Sequence, residues 1–323
     1  MEGCILSELW RFAAVEVQRG EKVVAHLRVP GASSEVPVFI VNGAQDGPNV
    51  LIMAGIHGCE YTSIDAALQL GRRLDPVSVR GTVTVMPIVN PDAFFARSIY
   101  VHPEDRKNLN RCFPGQAEGS AAEQLAHWLF TNAIMPVDYV IDLHGGDMIE
   151  SLVPFSIYYE TGDAALDARA QAFACAFGIR YVVASTEEVP GSTYGAAAQA
   201  GKIAMIAEAG QQGILEPAAS QTLQSGTENV LRLAGVLAGD VLPTECTVLN
   251  TYDWYRAPFN GLWYPEVQVG AYATVGERLG TIRNLFGDIV ETVTARTKGT
   301  LLFVVTSLAI NEGDPLLAIS DAT

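Results

Sequence analysis

The stretch Val50-Leu51-Ile52-Met53-Ala54-Gly55-Ile56-His57-Gly58-Cys59-Glu60 decides how this chain is read. Its first five residues form a continuous apolar run, the pattern of a strand buried on both faces of a parallel sheet. A glycine-bearing turn follows and carries His57 and Glu60. The pattern recurs downstream, where the apolar Tyr139-Val140-Ile141 leads into Asp142-Leu143-His144-Gly145-Gly146. Both groups sit where a buried strand gives way to a Gly-rich turn. In open α/β sheets, ligands bind beyond the carboxyl ends of the strands. Two imidazoles and one carboxylate, with a fourth position open, make the ligand set of a catalytic zinc. If His57, Glu60 and His144 meet in space, the chain is a metal-dependent hydrolase. Taken alone, His-x-x-Glu is common by chance, and a histidine at a strand end is often a hydrogen-bonded structural residue. Position favours the metal, because two of only five histidines fall at these two spots.

Working outward, the first 40 residues alternate. Phe12–Gln18, Lys22–Val29 and Val36–Val41 predict antiparallel strands joined by Gly- and Pro-bearing turns. Residues 49–54 are the buried strand. Residues 61–74 predict a helix with Ile64, Ala67, Leu68 and Leu70 on its apolar side and Arg72 and Arg73 near its end. A second buried strand spans 82–89. The segment 90–119 has little periodicity and is rich in Asn, Pro and Arg; such long irregular stretches inside a domain are usually functional. Regular structure returns as helix 120–133 and strand 138–143. Strand 153–159, helix 163–177, strand 180–184, helix 193–200, strand 203–208 and helix 216–238 follow. This alternation predicts an α/β fold with a mostly parallel mixed sheet covered by helices on both faces.

Past residue 243 the pattern changes to short strands and glycine turns. Residues 257–282 and 295–319 share one form: turn glycine, strand, glycine turn, apolar pair. The duplication looks like the barrel-sandwich fold of biotinyl and lipoyl carriers. The hairpin Asn284-Leu285-Phe286-Gly287-Asp288 between the halves lacks the lysine a carrier displays, so a structural or site-capping module is expected. The expected division is a catalytic domain over 1–242, with an N-terminal β extension to about residue 42, and a small all-β domain over 243–323. Trp254, Tyr255, Trp263 and Tyr264 serve either a pocket wall or a subunit contact, so a homo-oligomer is left open.

Composition limits the function. The chain has 323 residues, 49% of them hydrophobic and 17% charged, with 20 Lys+Arg against 36 Asp+Glu for a net charge of −16. That field repels nucleic acid and anionic membrane, so neither is an expected partner. It also repels small carboxylates, so a carboxylate substrate needs a local arginine clamp. The first residues lack a basic segment followed by an apolar one, and no apolar run reaches about 18 residues. The five scattered cysteines predict no disulfide framework, which points to a reducing cytoplasm.

Arginines suited to such a clamp lie in the irregular segment. Arg97, Arg106, Lys107, Asn110 and Arg111 form either an anion site or a solvated basic loop. An arginine fork matches a carboxylate with two parallel hydrogen bonds, and a neighbouring Asn amide adds a third. Glu208 ends the apolar Ile203-Ala204-Met205-Ile206-Ala207 beside glycine turns. It reads as a general base acting on water or as a cap. Cys59, between two proposed ligands, is expected to pack beside the site or fill space, because a turn rarely directs three adjacent side chains at one ion.

The ordered motifs G-I-H-G-x-E, N-P-x-x-F-x-x-R, N-L-N-R-x-F-P-G, D-L-H-x-G and A-E-A-G-x-x-G, spanning residues 49 to about 240, resemble the succinylglutamate desuccinylase/aspartoacylase family. That family belongs to the wider zinc carboxypeptidase-like fold, and the duplicated C-terminal module also looks like its second domain. The resemblance implies one zinc per chain bound by His57, Glu60 and His144. It implies Glu208 as the carboxylate that moves a proton from water to the leaving amine, and Asn110 and Arg111 as the grip on a substrate carboxylate. Asp142 either supports the site from behind the ligands or caps its strand. Three departures stand out. Close relatives often show Arg-x-Arg where this chain has Arg97-Ser98-Ile99, Cys59 stands where Asn or Asp is usual, and Arg106 stands where Gly is usual. Ile99 can neither polarise a carbonyl nor hold a carboxylate, which leaves Arg97 or Arg106 to take over. The expected function is a zinc-dependent deacylase of an N-acyl amino acid or similar small carboxylate. The alternatives are a metallocarboxypeptidase acting on short peptides and a catalytically impaired metabolite-binding protein.

Overall fold

The computed structural model describes residues 9–186, 190–249 and 252–321. Residues 1–8, assigned from sequence to the N-terminal β extension, lie outside the described residues. At the centre stands a nine-stranded mixed sheet. From one edge to the other its strands are Thr247–Leu249, Tyr181–Ser185, Phe155–Tyr159, Ile203–Glu208, Tyr139–His144, Gln45–Ala54, Arg80–Met86, Val36–Asn42 and Lys22–Leu27. Five of its eight pairings are parallel, and the three antiparallel ones involve Phe155–Tyr159 and the two strands nearest the amino terminus.

The apolar run chosen from sequence is the reason the sheet has two cores. Successive strand residues point to opposite faces. Leu51 and Met53 join the buried cluster on one face with Leu125, Leu129 and Ala197, while Val50, Ile52 and Ala54 join the other with Ile64, Leu70, Phe173 and Leu223. Each such side chain, fully buried, contributes about 1.5–3 kcal/mol. Helices Tyr61–Arg73, Ala164–Ala176 and Pro217–Leu233 therefore cover one face, and Ala121–Leu129 and Thr193–Gln199 the other. The helix Tyr61–Arg73 lies close to the sheet because Gly71 has no side chain; a Cβ there would meet the Phe39 ring at 2.5 Å.

Beyond the main sheet, two smaller sheets are built from the duplicated C-terminal strands. One contains Asp253–Arg256, Pro315–Ser320, Gly299–Val305 and Tyr272–Ala273; the other contains Ile289–Thr294, Arg278–Arg283, Gly261–Pro265 and Ala309–Ile310. The exchange between the two regions is reciprocal. Glu150–Leu152, from the α/β part, pairs with Gly299–Val305, and Thr247–Leu249, from the far end of the chain, closes the edge of the main sheet beside Tyr181–Ser185.

Three expectations change. The strand expected over 12–18 is a separate hairpin, Leu9–Phe12 with Val15–Gln18, because the chain reverses through Ala13 at φ 50°. The helix expected over 120–133 ends as regular α-helix at Leu129 and continues as a wider turn over Phe130–Ile134. Cys175 and Cys246 form a disulfide, with Cα atoms 5.5 Å apart across 71 residues of sequence. Cys175 lies at the end of a helix, and Cys246 immediately precedes the strand that pairs with Tyr181–Ser185, so the sheet brings together what the sequence separates. The scattered spacing gave no sign of this single pair, and Cys59 and Cys112 are free. Among the described residues, no helix is long and apolar enough to cross a membrane.

Candidate metal centre and its cavity

Three adjacent parallel strands deliver the site at their carboxyl ends. Gln45–Ala54 runs into the turn bearing His57 and Glu60, Tyr139–His144 ends on His144, and Ile203–Glu208 ends on Glu208 directly opposite His144. The first turn leaves its strand through Gly55 at φ 70°, a left-handed conformation that side chains disfavour. It then passes so close to the helix Pro91–Ala96 that a Cβ on Gly58 would lie 2.2 Å from the Ala93 carbonyl carbon. The turn's geometry is thereby fixed by the backbone alone. Glu60 occupies the position before the helix Tyr61–Arg73 but makes no capping hydrogen bond to it, so its carboxylate is free to face the two imidazoles.

His57 Nδ1 lies 2.6 Å from Glu60 Oε1, and His144 Nδ1 lies 3.0 Å from Glu60 Oε2. One donor atom from each residue lies within 4.8 Å of the others. The outer nitrogens define which proton each ring carries. His57 Nε2 is 3.1 Å from Asn108 Oδ1, which already accepts the Asn110 backbone N–H at 2.8 Å and is therefore an acceptor. His144 Nε2 is 3.0 Å from Asp142 Oδ2, in an ion-pair contact rather than an aligned hydrogen bond. Asp142 is fully buried and accepts the Thr193 hydroxyl. Both Nε2 atoms thus face acceptors, which leaves both Nδ1 lone pairs turned toward carboxylate oxygens. Either a proton on each imidazole or one bound cation satisfies these facing acceptors, and the donor set of two imidazoles and a carboxylate matches that of zinc.

Electrostatics agree. Burial alone would raise the Glu60 pKa, but His144 and His57 outweigh it and hold the carboxyl at about 2. Burial would lower both histidines, yet the Asp142 and Glu60 charges push His144 well above its usual range, and Glu60 raises His57. The cage favours positive charge at its centre. Glu208 is different. Burial lifts its carboxyl well above the usual range; His144 opposes this, while Glu60, Glu150 and Asp142 add to it. Among the described residues no hydrogen bond reaches its side chain.

The cage forms the floor of a cavity of about 310 Å³. Asn110 and Arg111 line it, as do Glu208 and Tyr194. Asn110 Oδ1 accepts the Thr193 N–H at 2.9 Å, and no described hydrogen bond uses its Nδ2. Arg111 Nη1 donates to the Asn110 carbonyl at 2.6 Å and meets no carboxylate among the described residues. The side chain is open to the cavity, although burial is the main cause lowering its pKa. Arg97 and Arg106 are not brought to the cavity wall. Arg97 closes the helix Pro91–Ala96 at φ 53° with an exposed side chain, and Arg106 is exposed at φ 62°. Cys59 is buried and gives its thiol hydrogen bond to Asp147 Oδ1.

The C-terminal strands supply the roof. Tyr252, Trp254, Arg256, Phe303 and Pro315 all line the cavity. Trp254 is therefore wall, whereas Tyr255 and Trp263 are core and Tyr264 is exposed. Arg256 was not singled out from sequence, nor were Asn108, Asp147 and Glu150. Asn108 lies within the N-L-N-R motif and had a signal. The others depend on how distant segments fold together.

An α/β sheet that carries a His–Glu–His cage and an unpaired carboxylate at its carboxyl edge has the make-up of a metallohydrolase. A family model described as the succinylglutamate desuccinylase/aspartoacylase catalytic domain matches residues 46–234. An N-alpha-acetyl-L-2,4-diaminobutyric acid deacetylase from Halomonas elongata is 30% identical over 96% of this chain and 93% of its own length. The product-bound ectoine utilization protein EutE (DoeB) from Ruegeria pomeroyi superposes with a TM-score of 0.87 at 26% identity, covering 95% of this chain and 98% of its own. A succinylglutamate desuccinylase/aspartoacylase from Rhodobacter sphaeroides superposes with a TM-score of 0.85 at 25% identity, covering 98% and 100%. The chain belongs to the succinylglutamate desuccinylase/aspartoacylase family. It is an amidohydrolase that acts on non-peptide carbon–nitrogen bonds, a deacylase of N-acyl amino acids.

Proposed function

We propose that the chain removes the acyl group from a small N-acyl amino acid with one zinc ion held by His57, Glu60 and His144. The observation that carries this reading is the convergence of those three side chains, Glu208 and Arg111 on one cavity. Zinc bound there supplies Lewis acidity, polarising the scissile carbonyl and lowering the pKa of water to about 7. Glu208 takes a proton from the attacking water and returns it to the departing nitrogen; its raised pKa and lack of partners suit both acts. Asn108 and Asp142 keep the two imidazoles turned with Nδ1 inward. Arg111 and Asn110 hold the substrate carboxylate and so fix the amide over the cage. The aromatic roof from the C-terminal strands favours a small substrate over a peptide.

The test is full metal removal with a chelator, followed by assay on a panel of N-acyl amino acids and by zinc add-back. Turnover should vanish and return with zinc; a chelated, metal-free protein that still cleaves the panel would refute the reading. Replacing Arg111 with Ala should raise KM by about 10- to 100-fold, the worth of a charged hydrogen bond, with a smaller change in kcat. An unchanged KM would move the carboxylate grip elsewhere.

A further inference from the structure

Thr193 touches both halves of the site. It opens the helix Thr193–Gln199, and its side chain is fully buried. Its hydroxyl donates to Asp142 Oδ2, the same oxygen that faces His144 Nε2 at 3.0 Å. Its backbone N–H donates to Asn110 Oδ1 at 2.9 Å. The two acceptors come from distant parts of the chain: Asp142 lies on the strand Tyr139–His144, and Asn110 lies in the irregular segment that also carries Arg111.

Each bond holds a group that has little else to hold it. Asp142 Oδ1 has no hydrogen-bond partner among the described residues, so the Thr193 hydroxyl makes the one described hydrogen bond on that buried carboxylate. Threonine suits this task because its branched side chain is stiff about χ1, which aims the hydroxyl. On the other side, the Thr193 amide occupies Asn110 Oδ1 and leaves Nδ2 as the donor for a carboxylate. The turn before the helix is keyed to the same segment. A Cβ on Gly191 would lie 2.4 Å from the Arg111 carbonyl oxygen, and the Gly191 carbonyl accepts the Phe113 N–H at 3.0 Å.

We propose that Thr193 is a positioning residue with two separable roles: its hydroxyl holds Asp142 against His144, and its amide holds Asn110 toward the substrate carboxylate. Metal affinity and substrate affinity then depend on different atoms of one residue. The second role rests on the deacylase reading; the first rests only on the cage.

The experiment titrates zinc into metal-free protein and measures KM at saturating zinc for the panel of Nα-acetyl-L-amino acids. Thr193→Val keeps the shape and the amide and loses the hydroxyl. It should weaken zinc binding by about 10-fold, the lower end for the outer partner of a ligand, and leave KM close to that of wild type. Thr193→Ser should restore the zinc affinity. Thr193→Pro removes the amide donor as well. The first N–H of a helix has no partner within it, and Ser192, at φ −77° and ψ 153°, already has the extended backbone that a following proline requires. This variant should bind zinc as Thr193→Val does and raise KM by about 10-fold, the worth of one hydrogen bond. Thermal unfolding of each metal-free sample shows that folded protein is being titrated, and Thr193→Ala replaces Thr193→Val should the latter not fold.

Wild-type zinc affinity in Thr193→Val overturns the first role, and so does a Thr193→Ser variant as weak as Thr193→Val, which would assign the effect to packing of the methyl group. A KM in Thr193→Pro equal to that of Thr193→Val overturns the second role, as does a proline variant that does not fold. If the wild type binds zinc and cleaves no member of the panel, the deacylase reading and the second role fall together, and the titrations still decide the first. If the wild type cleaves the panel and the variants match it, the proposal falls and the deacylase reading stands.

Discussion

Glu208→Gln is expected to lower kcat by ~10³-fold, within the range that a positioned acid–base group supplies, while the protein still binds one equivalent of zinc. The substitution keeps the side chain's shape and removes its capacity to take up a proton. Glu208 makes no described hydrogen bond, so the change breaks none in the surrounding structure. It is not part of the His57–Glu60–His144 cage, so metal content should be unaffected. Steady-state kinetics and elemental analysis on the same sample check both halves of this statement. A variant that keeps more than a tenth of the rate would assign the proton transfer to another carboxylate, and Asp147 and Glu150 are the two others in the cavity that burial lifts.

His144→Ala is expected to abolish both metal binding and turnover. The loss of metal affinity should exceed the 10- to 100-fold typical of removing an outer hydrogen-bond partner of a ligand, because a ligand itself is lost. Only His57 and Glu60 would remain as donors, and Asp142, fully buried, would lose the imidazole that faces it. Zinc titration of the dialysed variant against wild type measures this, and thermal unfolding separates it from a failure to fold. Near-stoichiometric zinc in the variant would show that the ion sits elsewhere.

The residues that hold the cage were legible because the strands that deliver them carry a plain physical signature. Val50–Ala54 can only be so uniformly apolar if both faces are covered, and a sheet built that way exposes its turns at one edge. Glu208 was legible for the same reason. Arg97 and Arg111 show where such reasoning stops. Both are basic residues in one irregular segment, and the local difference is slight: Arg111 lies close to apolar Leu109 and Phe113 within the N-L-N-R-x-F-P-G motif. What separates them is a short helix that ends on Arg97 and turns it outward, and a later turn that folds Arg111 back over the cage. Arg256 and Phe303 carried no signal either, and Trp254 was open between pocket wall and subunit contact, because their place depends on strands more than a hundred residues away in sequence. The disulfide between Cys175 and Cys246 escaped notice for a related cause: its proximity is a product of the sheet edge and not of spacing.

The reciprocal strand exchange bears on how such an enzyme is retargeted. Glu150–Leu152 is at once a wall of the reaction chamber and a strand of the C-terminal sheet. A graft that replaced the C-terminal region would also redraw the polar side of the chamber, and one that kept Glu150–Leu152 would need a recipient edge cut to fit it. Chamber wall and assembly thus share one short strand, and a redesign of this scaffold has to treat the two segments as a matched pair rather than as a cassette.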